Sequence, residues 1–313
     1  MLNDKTRSGY GLHIQRIKAI RTAAAVILVV LLVTIPVPFV LKLKNRAGNE
    51  RRELLRFWEE GTFDRAFEMS KTALSARPLD YFLLTIHGFS AYQMGIAQIT
   101  TFDTFAFIDE CIWSLRKALL LKNAADDGRV YYVLGKAYSY KGDTYADLAV
   151  KYLEKARELS YNAADIPEYL GLAYAAIGDY RSSVEAFSLA LGADSSNPSD
   201  VLLLSIARSY MALEERDAAR AYLLRCIEVS PDSKSVLTAR LLLAELSRDM
   251  GDFENAENQY ITILKESGEN AEAHYQLGEL YSLQGDTTRA RSEWRLAYRT
   301  DPAHVKARAR LNM

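Results

Sequence analysis

The chain has 313 residues, of which 49% are hydrophobic and 25% charged, an ordinary globular composition that supports a large buried core and, by length alone, about two domains. Its formal charge of −1 hides an asymmetry: eight of the 39 Lys/Arg stand in residues 1–46 against Asp4 alone, which leaves 31 Lys/Arg against 39 of the 40 Asp/Glu for the rest. That acidic remainder repels phosphate and disfavours a nucleic-acid function for the bulk of the protein.

Residues 1–21 form a basic tail with Lys5, Arg7, Arg16, Lys18 and Arg21, and residues 22–41, Thr22 to Leu41, then run without one charge. As a helix rising about 1.5 Å per residue this run is about 30 Å long, the thickness of a bilayer core, so the sequence predicts a transmembrane helix over 22–41. Pro36 and Pro38 read as a kink or early exit at its far end. No small-x-small step follows the apolar stretch, which favours an uncleaved anchor over a cleaved signal peptide. The linker 42–46 is basic, and with Arg51 and Arg52 it matches the charge of the upstream flank, so charge does not set the orientation. A short tail ahead of a large C-terminal part is the arrangement of a signal anchor, which places the remainder on the exported side.

From Ala47 onward one pattern recurs: an apolar helical face holding a small residue, a glycine turn, and a second apolar face. Leu54, Phe57, Gly61, Ala66, Ala73 and Pro78 mark a first copy over residues 47–80. Leu84, His87, Gly88 and Gly95 open a second over 81–127, whose second helix resumes only at Cys111, Leu115 and Ala118 after roughly eleven inserted residues. Leu134, Gly135, Tyr138 and Gly142-Asp143 mark 128–163, where two extra residues precede Ala149, Leu153 and Ala156. Leu170, Gly171, Tyr174, Gly178-Asp179, Ser183, Phe187 and Ala190 mark 164–199, and Ile206, Ala207, Tyr210, Ala219, Leu223, Cys226 and Pro231 mark 200–236. Gly251 precedes Gly285 by 34 residues and centres a copy over 237–270 with Leu243, Ala244, Ala256 and Tyr260. The clearest copy is 271–304, with Leu277, Gly278, Tyr281, Gly285-Asp286, Ala290, Trp294, Ala297 and Pro302 in order. Residues 305–313 then read as a capping helix.

This spacing resembles the tetratricopeptide repeat (TPR), with His274 where that family prefers Trp. The resemblance implies an all-α fold, a superhelical solenoid of about seven helix–turn–helix units behind the N-terminal transmembrane helix, in which each unit contacts mainly its neighbours.

No chemistry-bearing constellation emerges. His13, His87, His274 and His304 fall in no ligand spacing, and His87 and His274 occupy packing positions. Cys111 and Cys226 stand at alanine-type packing slots of separate units, the glycines are explained by repeat geometry, and Glu59-Glu60 and Asp126-Asp127 read as solvated charges. The reading is a non-enzyme with no cofactor, no metal and no small-molecule substrate.

Function must then come from surface. In tetratricopeptide proteins the first helices line a concave groove that holds a peptide or partner helix. On that face the resemblance places Phe82, Phe89, Tyr92, Tyr132, Lys136, Tyr140, Tyr169, Arg208 and Tyr275, each of the aromatics open to a second reading as inter-repeat packing. Phe89 stands where a chaperone-carboxylate clamp wants Asn, which disfavours that adaptor role. The insertion, residues 96–110, brings Ile99, Phe102, Phe105 and Phe107; it either lengthens the second helix and packs inward or joins the aromatic wall as a partner site. The layout is similar to bacterial single-span envelope proteins of this family. It implies a membrane-anchored scaffold binding other proteins in cell-envelope assembly or secretion, the alternative being a cytoplasm-facing adaptor that recruits soluble proteins.

Overall fold

The computed structural model describes residues 36–98, 100–121, 126–193, 198–267 and 269–311, with side chains described from residue 48. Its regular elements among these residues are helical. They pair along the chain as α1 (Pro36–Glu59) with α2 (Phe63–Ala76), α3 (Tyr81–Ile96) with α4 (Thr101–Leu119), α5 (Gly128–Tyr140) with α6 (Ala146–Glu158), and α7 (Ile166–Ala176) with α8 (Tyr180–Ala193). The series continues with α9 (Asp200–Ala212) and α10 (Arg216–Val229), α11 (Ser233–Asp249) and α12 (Phe253–Ser267), α13 (Ala271–Leu283) and α14 (Thr287–Thr300), then α15 (Val305–Arg310).

A recurring glycine-aspartate dipeptide explains how three of the pairs, α7/α8, α11/α12 and α13/α14, turn. Gly285 has φ +83°, a left-handed conformation that a side chain resists, and the N–H of Asp286 returns to the carbonyl of Tyr281 at 2.9 Å. Asp286 then caps α14, its carboxylate accepting from the Arg289 N–H at 2.9 Å. Asp179 and Asp252 return their N–H groups to Tyr174 and Ser247 in the same way, at 2.9 and 2.8 Å. Two adjacent residues thus end one helix and start the next.

Within a pair, the small residue of the first helix sets the depth of contact. A Cβ on Gly278 would lie 2.5 Å from Trp294 Cδ1 and 3.1 Å from the carbonyl oxygen of Ala290. Gly135 is equally constrained, since a Cβ there would lie 2.5 Å from Leu153 Cγ. Close approach brings Ala290, Trp294 and Ala297 into one core with Leu277, Leu280 and Tyr281. Cys111 and Cys226 are buried free thiols in such cores.

First helices also approach the first helices of following units, α3 to α5, α5 to α7, α7 to α9 and α9 to α11. Second helices pack on the first helix that follows them, so the stack curves with the first helices on its inner face.

Three details refine the sequence reading, the first by deciding between its two alternatives for the insertion. The insertion is no loop: α3 has 16 residues and α4 has 19, against 13 in α5 and in α6, so the added residues lengthen both helices around a short turn. The two extra residues of the next unit form a 3-10 turn, Asp143–Tyr145, ahead of α6. Toward the N-terminus, α1, described from Pro36, continues through residues 42–46, the expected linker, as one helix to Glu59. The tail and residues 22–35 of the expected membrane helix lie outside the described residues. Among the described residues no helix is long and apolar enough to cross a membrane.

Candidate functional site

The inner face of the first three units encloses a groove of about 510 Å³. Its walls come from α1 (Arg51, Leu55, Trp58), α3 (Phe82, Thr85, Ile86, Phe89, Tyr92, Gln93) and α5 (Arg129, Tyr132, Val133, Lys136), with Tyr161 closing one end. The offsets 51/55/58, 82/86/89/93 and 129/133/136 follow helical periodicity, so each helix turns one stripe into the groove while the adjoining stripe, such as Leu83 and Leu84, is buried in the core.

Its aromatics form a connected layer. Trp58 lies 6.1 Å from Phe89 and 4.9 Å from Phe63, and Tyr92 meets Tyr140 edge-on at 6.0 Å. Tyr132 lies 5.2 Å from Tyr161. Trp58, Phe82, Phe89 and Tyr132 are half-buried, whereas Tyr92 is 5% exposed and forms the floor. Burial, then the charges of neighbouring tyrosines, pushes the Tyr92 phenol well above its ordinary range.

At the far end Lys136 is held by a polar and aromatic cage. Its Nζ donates to Asp165 Oδ2 at 2.7 Å and to the Tyr132 hydroxyl at 3.1 Å, and it lies 4.7, 5.1 and 5.8 Å from the ring centroids of Tyr169, Tyr132 and Tyr92. Burial works against its charge, but the bonds to Asp165 and Tyr132 outweigh it and the ammonium is held more firmly than in a free lysine. The Tyr132 hydroxyl donates to Asp165 Oδ1 at 2.8 Å. Its pKa is pushed up to about 12, by burial first; Lys136 opposes that rise and the Asp165 carboxylate adds to it.

Nearer the groove entrance, Arg129 donates twice to Asp127, with Nε and Nη2 both at 3.0 Å. Tyr81 donates to the same carboxylate at 3.0 Å. Arg51 lies 4.3 Å over the Phe82 ring and has no carboxylate partner among the described residues.

Phe82, Phe89, Tyr92, Tyr132 and Lys136 therefore share one groove, while Tyr140 and Tyr169 stand just beyond it, lining a smaller hollow of about 370 Å³ with Leu172 and Ala173. Arg208 is exposed on α9, remote in the chain from that groove. Tyr275 is a correction: it is buried, its ring 5.1 Å from His304, because α15 folds over it. The insertion residues separate too. Phe107 packs edge-on at 5.6 Å against Phe67, Phe105 covers Lys141 at 5.1 Å, and Phe102 is 83% exposed, so none joins the groove. Ile99 lies outside the described residues. Sequence reasoning missed Arg51, Leu55 and Trp58, although their spacing of four and three beside the core residue Leu54 carried the signal.

His87 is buried between Ser70 Oγ, 2.9 Å from its Nδ1, and Glu110 Oε1, 3.1 Å from its Nε2, and it stacks on Phe67 at 4.3 Å. It bridges α2, α3 and α4. His274 lies 2.7 Å from Glu293. Among the described residues no three His, Cys, Asp or Glu gather as a metal site.

A family model described as tetratricopeptide repeat matches residues 132–198 and 241–305, and a second of the same description matches 202–233. No curated protein matches. Among solved structures, the C-terminal part of a TPR repeat-containing protein from Cytophaga hutchinsonii is 14% identical with a TM-score of 0.60, covering 84% of this chain and 100% of that one. The pilF protein of Pseudomonas aeruginosa is 15% identical with a TM-score of 0.51, covering 72% of this chain and 96% of that one. YrrB, described as a TPR protein with an unusual peptide-binding site, is 21% identical with a TM-score of 0.48, covering 64% and 98%. No enzymatic family is indicated by these matches, and the first two structures share the solenoid fold. The chain is a tetratricopeptide-repeat protein.

Proposed function

We propose that the protein is an interaction scaffold whose inner groove over α1, α3 and α5 binds a peptide or helix of another protein. The carrying observation is the groove itself: half-buried Trp58, Phe82, Phe89 and Tyr132 around about 510 Å³ of open space. Large aromatics that keep part of their rings exposed beside rigid walls are the usual anchors of protein recognition. Replacing Phe89 and Tyr132 together by alanine is expected to weaken partner capture in a crosslinking pull-down of the full-length chain, with helical circular dichroism retained. Undiminished capture by the double variant removes the groove from the binding surface.

The charge-free run 22–41 supports a further part of this reading, that the scaffold is anchored in a membrane; we further propose that its repeats lie on the exported side and serve envelope assembly or secretion. The full-length chain then stays with membranes through a carbonate wash, and added protease digests the repeats in spheroplasts. Release by carbonate removes the anchor, and protection from protease leaves the cytoplasm-facing adaptor.

A further inference from the structure

The groove's charge narrows what it takes, and this step rests on the groove being the binding surface. Its lining carries Arg51, Arg129 and Lys136 and no carboxylate, although residues 47–313 are acidic as a whole. Asp127 and Asp165 stand behind the wall, already engaged by Arg129 and Lys136 at 3.0 and 2.7 Å. Arg51 is the free cation at the entrance among the described residues, its guanidinium parked over Phe82. A ring and a guanidinium stacked this way present an apolar edge and unused N–H donors to the same occupant.

We propose that the groove takes an acidic and apolar segment of a partner protein, with an apolar or aromatic side chain among Trp58, Phe82 and Phe89 and a carboxylate on Arg51. The chain's own N-terminal tail is the wrong occupant, because Lys5, Arg7, Arg16, Lys18 and Arg21 against Asp4 bring no surplus carboxylate for Arg51 and meet a lining that carries no carboxylate of its own. Neighbouring helix axes stand about 10 Å apart, so α1 to α5 is about 20 Å, a distance that an extended chain covers in about six residues. The segment is short.

The test uses the full-length chain and a fluorescein-labelled peptide of about eight residues alternating Glu with Leu and one Phe, beside analogues with Gln or Lys in place of Glu. By fluorescence anisotropy at low salt, the Glu peptide is expected to bind about tenfold tighter than the Gln peptide and more tightly still than the Lys peptide, the difference shrinking as salt rises. Arg51→Glu is expected to remove most of that preference, and Arg208→Glu, an equal charge change on α9, to leave it. Equal binding of the Glu and Gln peptides, abolished by the Phe89 and Tyr132 double variant, overturns the charge assignment and keeps the groove. Equal loss from Arg51→Glu and Arg208→Glu also overturns it, because the effect is then one of net charge. No binding of any peptide, with the fold intact by circular dichroism, overturns this inference; undiminished partner capture by the double variant is what removes the groove reading beneath it.

Discussion

The inner faces of the two halves of the stack share a backbone and differ in chemistry. Over α1, α3 and α5 the face shows rings around open space, from Trp58 to Tyr132. Over α11 and α13 it shows polar groups that satisfy one another. Arg248 donates to Gln276 Oε1 at 3.2 Å, Gln276 donates to Glu272 Oε1 at 2.7 Å, and the same Glu272 lies 3.1 Å from His304. Arg310 of the terminal helix reaches back to Glu279 at 2.9 Å. The difference teaches that the repeat constrains only certain positions. A small residue in the first helix, a large one facing it and a left-handed turn residue hold the stack, while the inward positions of the first helices are free to carry unlike surfaces. The open aromatic groove is therefore a local feature of the first three units, while the packing that holds the stack is common to every unit.

The sharpest way to break this comparison is to give both halves the same insult. Gly135→Leu and Gly278→Leu each force a side chain into space already held by Leu153 or Trp294, and each is expected to cost about 1–3 kcal/mol by urea denaturation. Hydrogen exchange should place the loss around α5 and α6 for the first variant and around α13 and α14 for the second. A full cost at Gly278 with none at Gly135 shows that the halves are not built on one template.

A smaller effect separates structure from surface. Tyr132 donates to Asp165 at 2.8 Å inside the groove wall, and Tyr281 donates to Glu257 at 2.7 Å between repeats in the other half. Phenylalanine at either position removes one hydrogen bond to a carboxylate, and each is expected to lower stability by about 1 kcal/mol. Only Tyr132→Phe should also alter capture of a groove ligand. Both phenols are raised to about 12, by burial first, with Asp165 adding to it for Tyr132 and Glu257 for Tyr281. The folded state holds these protons more tightly than the unfolded chain does, whose phenols titrate near pH 10. Their contribution is thus complete below about pH 10 and lost as pH rises through about 12. Stability measured across that window should fall more steeply in the parent than in either phenylalanine variant; parallel curves would deny the two bonds their role.

Much of the fold was legible because its constraints are local. Gly278, Ala290 and Gly285-Asp286 each meet a size or backbone limit that few other residues satisfy, so their order in the chain announces the pair. The groove was legible in part, since Phe82, Phe89, Tyr132 and Lys136 repeat at helical spacing. Tyr275 misled because the same spacing holds whether a ring faces open space or a neighbouring element, and only the fold of α15 puts His304 against it. Of the two readings of the insertion, the lengthened second helix is the one found, with the first helix lengthened as well; extra residues inside a helical pattern add turns, which sends Phe102 outward and Phe107 inward onto Phe67. The spacing of Arg51 with Leu55 and Trp58 marked a helical face, but its place against Phe82 was not legible because that ring comes from the next unit.

The smallest effect concerns a turn whose left-handed position is held by a residue other than glycine. Between α9 and α10 the left-handed position is held by Glu214 at φ +60°, where five other helix pairs have Gly61, Gly142, Gly178, Gly251 or Gly285. The backbone bond that closes the turn is kept, the Glu215 N–H reaching the Tyr210 carbonyl at 3.0 Å, so the geometry is imposed by the stack against the preference of the residue. A side chain in this conformation costs about 1–2 kcal/mol, and glycine there gives back about 0.5–1 kcal/mol through the freedom it adds to the unfolded chain. Glu214→Gly is therefore expected to stabilise the protein by about 0.5 kcal/mol in urea denaturation, with slower exchange of the amides in α9 and α10. Because the site lies away from the groove, affinity for a groove ligand should not change. Destabilisation on this substitution would mean that Glu214 makes a contact worth more than its backbone strain, and that this turn is held differently from the glycine turns on either side of it.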